Sequence, residues 1–77
     1  MDFVFKQVRD IIAESLNIPL TNITLPATFD ELGIDSLDMV SLLTTYENEF
    51  KIEINDEKIG EIDKIDDIVK YIKSKVV

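Results

Sequence analysis

The sequence predicts an all-α fold, a small four-helix bundle of three main helices and one short helix with a long first loop, forming one domain over residues 1–77. Three observations carry this expectation. Apolar residues recur at helical spacing in three separate stretches. The one alternating run, around Ile52 and Ile54, is too short to imply a sheet. With 77 residues and no cysteine, the core has to come from well-packed amphipathic stripes without disulfide bracing.

The first helix is expected from Asp2 to Leu16. Val4, Phe5, Val8, Ile11, Ile12, Ser15 and Leu16 share less than half of a helical wheel, while Lys6, Gln7, Arg9, Asp10 and Glu14 lie mostly off that arc. Asp2 is placed to cap the start. Pro19 ends the pattern, because it cannot continue the hydrogen-bond ladder and biases Ile18 toward extended geometry. From Asn17 to Ile34 the periodicity lapses. This reads as one long loop pinned by Ile18, Leu20, Ile23, Leu25, Phe29, Leu32 and Ile34, with Thr28 to Glu31 set to cap a single turn.

The second helix is expected from Ser36 to Phe50, with Asp35 as cap and Asp38 as the acid at its third position. Met39, Val40, Leu42, Leu43, Tyr46 and Phe50 form its buried arc, opposite Asp38, Ser41, Thr44, Thr45, Asn48 and Glu49. Leu37 breaks that pattern by projecting from the polar face. After the extended crossing at Ile52 and Ile54, Asp56 is expected to cap a brief turn through Lys58 and Ile59, stopped near Gly60. A last helix carries the stripe Ile62, Ile65, Ile68, Val69, Ile72 and Val76. Its acids Asp63, Asp66 and Asp67 precede its bases Lys70, Lys73 and Lys75, an order that suits the helix dipole.

Composition narrows the function. Without histidine or cysteine there is no Ser-His-Asp triad, no cysteine nucleophile and no zinc site of the usual ligands, and so small a chain cannot wall off a large dry pocket. An enzyme is therefore the least favoured class. A formal charge of −8 argues against nucleic acid and fits either basic protein partners or solubility alone. No apolar run approaches the roughly 20 residues needed to span a bilayer, and the start has no signal-peptide core. The expectation is a monomeric, soluble, cytoplasmic protein. The acids Asp30, Glu31, Asp35 and Asp38 read as solvated surface, and no metal site is expected.

The candidate site is Leu32-Gly33-Ile34-Asp35-Ser36-Leu37-Asp38. Asp-Ser ahead of an apolar run is also what ordinary helix capping looks like. Three features point further. Asp35 already supplies the cap, which leaves the Ser36 hydroxyl without a structural task. First-turn N–H groups would stabilise a phosphate carried there. Leu37 beside it looks like a contact for another protein, although isolated surface leucines are common. A serine with no base near it in sequence reads as an attachment point modified by other enzymes rather than as a nucleophile.

Phe29-Asp30-Glu31-Leu32-Gly33-Ile34-Asp35-Ser36-Leu37-Asp38 is similar to the attachment motif of acyl carrier proteins. The likeness extends through Tyr46-Glu47-Asn48-Glu49-Phe50 and Ile68-Val69-Lys70-Tyr71-Ile72 to the whole chain. The resemblance implies a 4′-phosphopantetheine joined to Ser36 through a phosphodiester, installed from coenzyme A by a carrier-protein synthase (a phosphopantetheinyl transferase), whose thiol carries acyl groups as thioesters. The chain would then be no enzyme but a carrier for acyl-processing enzymes with basic docking patches, with Asp35, Leu37, Asp38 and Glu47 as partner contacts. It also implies an acyl-chain pocket walled by Val40, Leu43, Tyr46, Ile54, Ile59, Ile62 and Ile68, residues that periodicity alone reads as core.

The pathway expected is fatty acid biosynthesis, and the initial methionine and absence of a flanking linker favour a free-standing carrier. This chain departs from fatty-acid carriers at Ser41, where a glutamate is usual, and at Thr44, Thr45, Tyr46 and Asn48. Those departures keep open a specialised carrier for a polyketide, lipid-modification or aminoacyl/peptidyl pathway. Outside the family, the competing reading is an acidic interaction domain that carries nothing.

Overall fold

The computed structural model describes residues 2–76, apart from the side chain of Asp56. Four α-helices follow in order, α1 (Phe3–Leu16), α2 (Ser36–Phe50), α3 (Asp56–Ile59) and α4 (Ile65–Lys75), with one 3₁₀ turn at Leu20–Asn22 in the first loop. No strand occurs among the described residues, and the all-α expectation holds. α1 is the central element and packs against both α2 and α4. Its buried stripe is Val4, Val8 and Ile12, seated against Leu42, Leu43, Tyr46, Ile65, Ile68 and Ile72 within one apolar core. The Tyr46 hydroxyl, buried with its ring, donates to the Val8 carbonyl at 3.1 Å and ties α2 to α1 across the core. Burial raises the pKa of this phenol, so it stays protonated and remains a donor.

Asp2 caps α1 as its position predicts, accepting from the N–H groups of Val4 and Phe5, and its carboxylate also pairs with Lys73 of α4. The long loop is held less by side chains than expected. Ile23, Phe29 and Ile34 are buried, but Leu20 and Leu25 are exposed and hold the loop through their backbone alone. The Leu20 carbonyl accepts from Ile23 N–H, and that of Leu25 accepts from Asp66 N–H.

The start of α4 corrects the sequence reading. Ile62 and Asp63 lie before the helix, since Phe29 N–H bonds the Asp63 carbonyl and Ile65 N–H bonds the Ala27 carbonyl, holding this stretch extended against the loop. At the other end Val76 follows the last turn and is exposed, so the stripe closes at Ile72. Ser15 is exposed and Phe50 only half-buried, at the edges of their arcs. The brief helix α3 begins at Asp56, and its cap is one residue earlier than expected, at Asn55, whose side chain accepts from Glu57 N–H at 3.1 Å. It does stop at Gly60, but with φ −67°, so no left-handed glycine is needed there.

Asp67 replaces an ordinary cap on α4 by accepting from both Asp63 and Lys64 N–H at 3.0 Å. These bonds hold its carboxyl below the usual 3.8, with smaller contributions from Lys64 and Lys70. A carboxyl whose folded pKa is depressed gives stability that is present above the unfolded value and lost as pH falls through the folded one. Thermal stability should therefore decline as pH drops below about 3.8. Asp67→Asn, which keeps an acceptor but cannot titrate, should show a shallower decline. Identical acid profiles for the two proteins would remove Asp67 from the explanation.

α2 ends with Lys51 at φ 57° and ψ 47°, a left-handed residue that carries a Cβ. That geometry costs a non-glycine residue about 1–2 kcal/mol, offset in part by the roughly 0.4–1 kcal/mol of extra unfolded-state freedom a glycine brings. Lys51→Gly should thus stabilise by roughly 0.5–1 kcal/mol. An unchanged or lower denaturation midpoint would count against this.

Candidate functional site

The site is assembled by a locked loop feeding a helix start. Thr28 and Glu31 bond reciprocally. Glu31 Oε1 accepts from Thr28 N–H at 3.2 Å and from its hydroxyl at 3.0 Å, and Thr28 Oγ1 accepts from Glu31 N–H at 3.0 Å. This is the single turn expected at that position, and it is tied to the extended residue just before α4 through the pairing of Thr28 with Lys64. Gly33 then turns the chain at φ 76°, a left-handed position where a side chain would meet nothing within 4 Å of its Cβ, so its glycine serves conformation and not clearance. Ile34 is buried, returns its N–H to the Phe29 carbonyl at 3.0 Å, and fixes where the next residues emerge.

Asp35 is the cap of α2, its Oδ1 accepting from Asp38 N–H at 2.9 Å while its carbonyl accepts from Met39 N–H. Ser36, the first helical residue, is exposed. Among the described residues no hydrogen bond occupies its hydroxyl or the N–H groups of Ser36 and Leu37. A free hydroxyl therefore sits beside two free donors at the positive end of a 15-residue helix, an arrangement that suits a phosphodiester esterified to that serine. Among the described residues no side chain accepts a hydrogen bond from the Ser36 hydroxyl, as a base activating it as a nucleophile would, and no cluster of metal-ligating side chains occurs.

Leu37 is 77% exposed, as its place on the wheel requires. Val40, one turn further on, is 55% exposed, which corrects its assignment to the buried arc. On that side Val40 borders a surface cleft of about 370 Å³ together with Leu43, Thr44, Glu47, Ile54 and Ile59. Across the cleft, α2 faces Ile54 and Ile59 of the short 51–59 segment. Ser36, Val40, Leu43, Thr44 and Glu47 follow helical spacing, so one stripe runs from the free hydroxyl down into this cleft. The rest of the apolar set expected around an acyl chain does not gather there. Tyr46 is turned toward α1 by its bond to Val8, Ile68 is sealed in the core, and Ile62 lines a separate cleft of about 320 Å³ against α4.

Among the expected partner contacts, Asp38 is half-buried and Asp35 exposed beside Ser36. Glu47 is half-buried and its Oε2 accepts from Ile54 N–H at 2.9 Å, a task that wheel analysis did not reveal. Tyr71 was also missed. Its hydroxyl accepts from Asn55 N–H and donates to the Glu53 carbonyl, both at 3.4 Å. Neither contact has a local sequence signal, since each joins a side chain to backbone across a turn or between elements.

Residues 6–72 match the family model described as a phosphopantetheine attachment site. An acyl carrier protein from Clostridium acetobutylicum is 46% identical over 72 residues, covering 92% of this chain and 94% of that relative. In three dimensions the chain is similar to the crystal structure of an acyl carrier protein from Thermotoga maritima, with a TM-score of 0.84 at 31% identity over 96% of this chain and 92% of the other.

Proposed function

The chain belongs to the acyl carrier protein family, carriers with a covalent 4′-phosphopantetheine that are not themselves enzymes, and from that premise we propose that Ser36 is the attachment residue and that the pathway served is fatty acid biosynthesis. The observation that carries the site is the exposed, unengaged Ser36 hydroxyl on the first turn of α2, already capped by Asp35. When bound, the group supplies a terminal thiol on which acyl chains travel as thioesters.

The protein's own residues do the rest. Asp35 keeps the helix start intact without using Ser36, and the Ser36 and Leu37 N–H groups stabilise negative charge on the ester. Val40, Leu43, Ile54 and Ile59 offer an apolar cleft one to two turns along the same stripe for the hydrocarbon end of the cargo. Leu37 and Asp38, flanking Ser36, form the contact for the carrier-protein synthase and for acyl-processing enzymes with basic surfaces. A net charge of −8 with 31% charged residues suits a protein dissolved in the cytoplasm, and no helix among the described residues is long and apolar enough to cross a membrane.

A second reading, a carrier dedicated to a polyketide, lipid-modification or aminoacyl/peptidyl pathway, is favoured by one feature of α2. Its exposed face shows Ser41, Thr44, Thr45 and Asn48 instead of a run of acids, and the two threonine hydroxyls are turned back onto the Val40 and Ser41 carbonyls at 3.0 Å. Intact mass after incubation with coenzyme A and a carrier-protein synthase tests the carrier role, and a gain of one phosphopantetheine is expected. Loading by malonyl transfer and elongation in a reconstituted fatty-acid synthase then separates the two pathways. An unmodified mass would overturn the first reading, and failure to elongate after successful modification would favour the second.

A further inference from the structure

Glu47 and Ile54 border two clefts at once, the more apolar one that continues from Ser36 and a polar one of about 410 Å³ lined also by Glu53, Asn55, Tyr71 and Lys75. They form the partition between the two. The bond from Ile54 N–H to Glu47 Oε2 lies within it, short at 2.9 Å and charge-assisted. The backbone carbonyl of Glu47 also accepts from Lys51 and Ile52 N–H, so one residue organises three amides of the turn after α2. On the other side, the Tyr71 hydroxyl holds the backbone of Glu53 and Asn55. Ile54, with its side chain buried, is thus fixed from both flanks.

The position of Glu47 argues that this bond is its purpose. It lies in the last turn of α2, where the helix dipole disfavours a carboxylate, so it does not serve the helix that carries it. Its compensation is the amide of the residue that closes the cleft.

We propose that Glu47, assisted by Tyr71, is a positioning residue that latches Ile54 as the inner wall of the acyl cleft and separates the hydrocarbon chain from the polar cleft behind. This rests on the reading of the first cleft as the acyl site. With the latch released, the 51–55 turn is free to move, the two clefts merge, and the shelter for an acyl chain is lost.

The test uses the full chain with Glu47→Ala, Glu47→Gln and Tyr71→Phe, reading two quantities. The first is amide hydrogen exchange at Ile54 in the unacylated protein. Exchange at Ile54 should accelerate at least tenfold in Glu47→Ala, while Ile12 and Ile68 in the core keep their rates. Glu47→Gln should restore most of the protection, because its amide oxygen accepts the same N–H. Tyr71→Phe should affect Asn55 more than Ile54. The second quantity is the rise in melting temperature that an octanoyl thioester confers over the free-thiol form. That rise should fall by at least half in Glu47→Ala and persist in Glu47→Gln. Unchanged Ile54 exchange in Glu47→Ala shows that the latch does not exist. Faster exchange with an undiminished octanoyl effect shows that the latch does not guard the acyl chain. If the wild-type protein gains nothing from octanoylation, the acyl-cleft reading itself fails and takes the latch's role with it, whatever the exchange rates. Should Glu47→Ala not fold, Glu47→Met, which keeps the side-chain volume but has no oxygen to accept the Ile54 amide, is held to the same two readings, with Glu47→Gln as its folded control.

Discussion

Ser36→Ala is expected to abolish phosphopantetheine attachment completely while leaving the bundle folded. The loss of modification is total because the phosphodiester needs the hydroxyl oxygen itself, and no neighbouring side chain in Gly33-Ile34-Asp35-Ser36-Leu37-Asp38 offers another hydroxyl. The fold should survive because the capping bond of α2 comes from Asp35 to Asp38 N–H, and Ser36 contributes none. Removing a working cap costs about 0.5–2 kcal/mol, and a residue that is not the cap should cost at the bottom of that range or less. Asp35→Ala supplies the contrast, with a loss of about 1 kcal/mol and the hydroxyl still present. Intact mass after incubation with coenzyme A and a carrier-protein synthase, alongside thermal melts, gives both readings. A mass gain on Ser36→Ala would move the attachment site elsewhere. A collapse of helicity would show that Ser36 is structural after all.

What the sequence disclosed about this site follows a physical division. Capping by Asp2 and Asp35, the turn locked by Thr28 and Glu31, and the exposure of Leu37 are all local, set within three or four residues, and wheel and cap rules suffice for them. The register of α4 was not local. Asp63 and Lys64 are held extended by backbone bonds to a loop more than thirty residues earlier, and Asp67 caps in consequence, so a stripe that includes Ile62 overestimates the helix. Val40 was misjudged for a related reason. Whether the edge of an apolar arc is covered depends on the partner element, and here that element is the short turn and single-turn helix of residues 51–59, too small to cover it. Tyr46 shows the opposite case, in which a residue expected in the cleft is turned away by one hydrogen bond to the Val8 carbonyl, a partner 38 positions distant. The proposed attachment site was more legible than the packing because it rests on a short contiguous stretch, whereas the cleft depends on side chains drawn from α2, the turn and α3.

Leu37→Ala is expected to slow modification of Ser36 by roughly 30-fold with little change in stability. The structural half of this follows from exposure. A leucine 77% exposed leaves little buried area to lose, and leucine and alanine are both good helix formers, so the melting transition should shift by less than about 1 kcal/mol. Were Leu37 core, the same truncation would cost about 2–5 kcal/mol. The functional half follows from placement. Leu37 adjoins Ser36, the proposed attachment residue, and Val40, also exposed, lies three positions on, so the two form an apolar step beside the hydroxyl that a modifying enzyme would have to cover. Apolar anchors at the centre of an interface commonly carry about 2 kcal/mol, and 1.4 kcal/mol is tenfold, which gives the stated factor. Asp38→Lys separates this contact from electrostatics. Asp38 is half-buried at the third position of α2, where an acid also favours the helix dipole, so its stability change has to be measured before its kinetics are read. Allowing for that, charge reversal should reduce the association rate and its salt dependence, whereas Leu37→Ala should leave the salt dependence as it was. A Leu37→Ala protein modified at the wild-type rate would place the enzyme's contact elsewhere on α2, and one that melts much earlier would mean that this leucine supports the loop and helix start it adjoins.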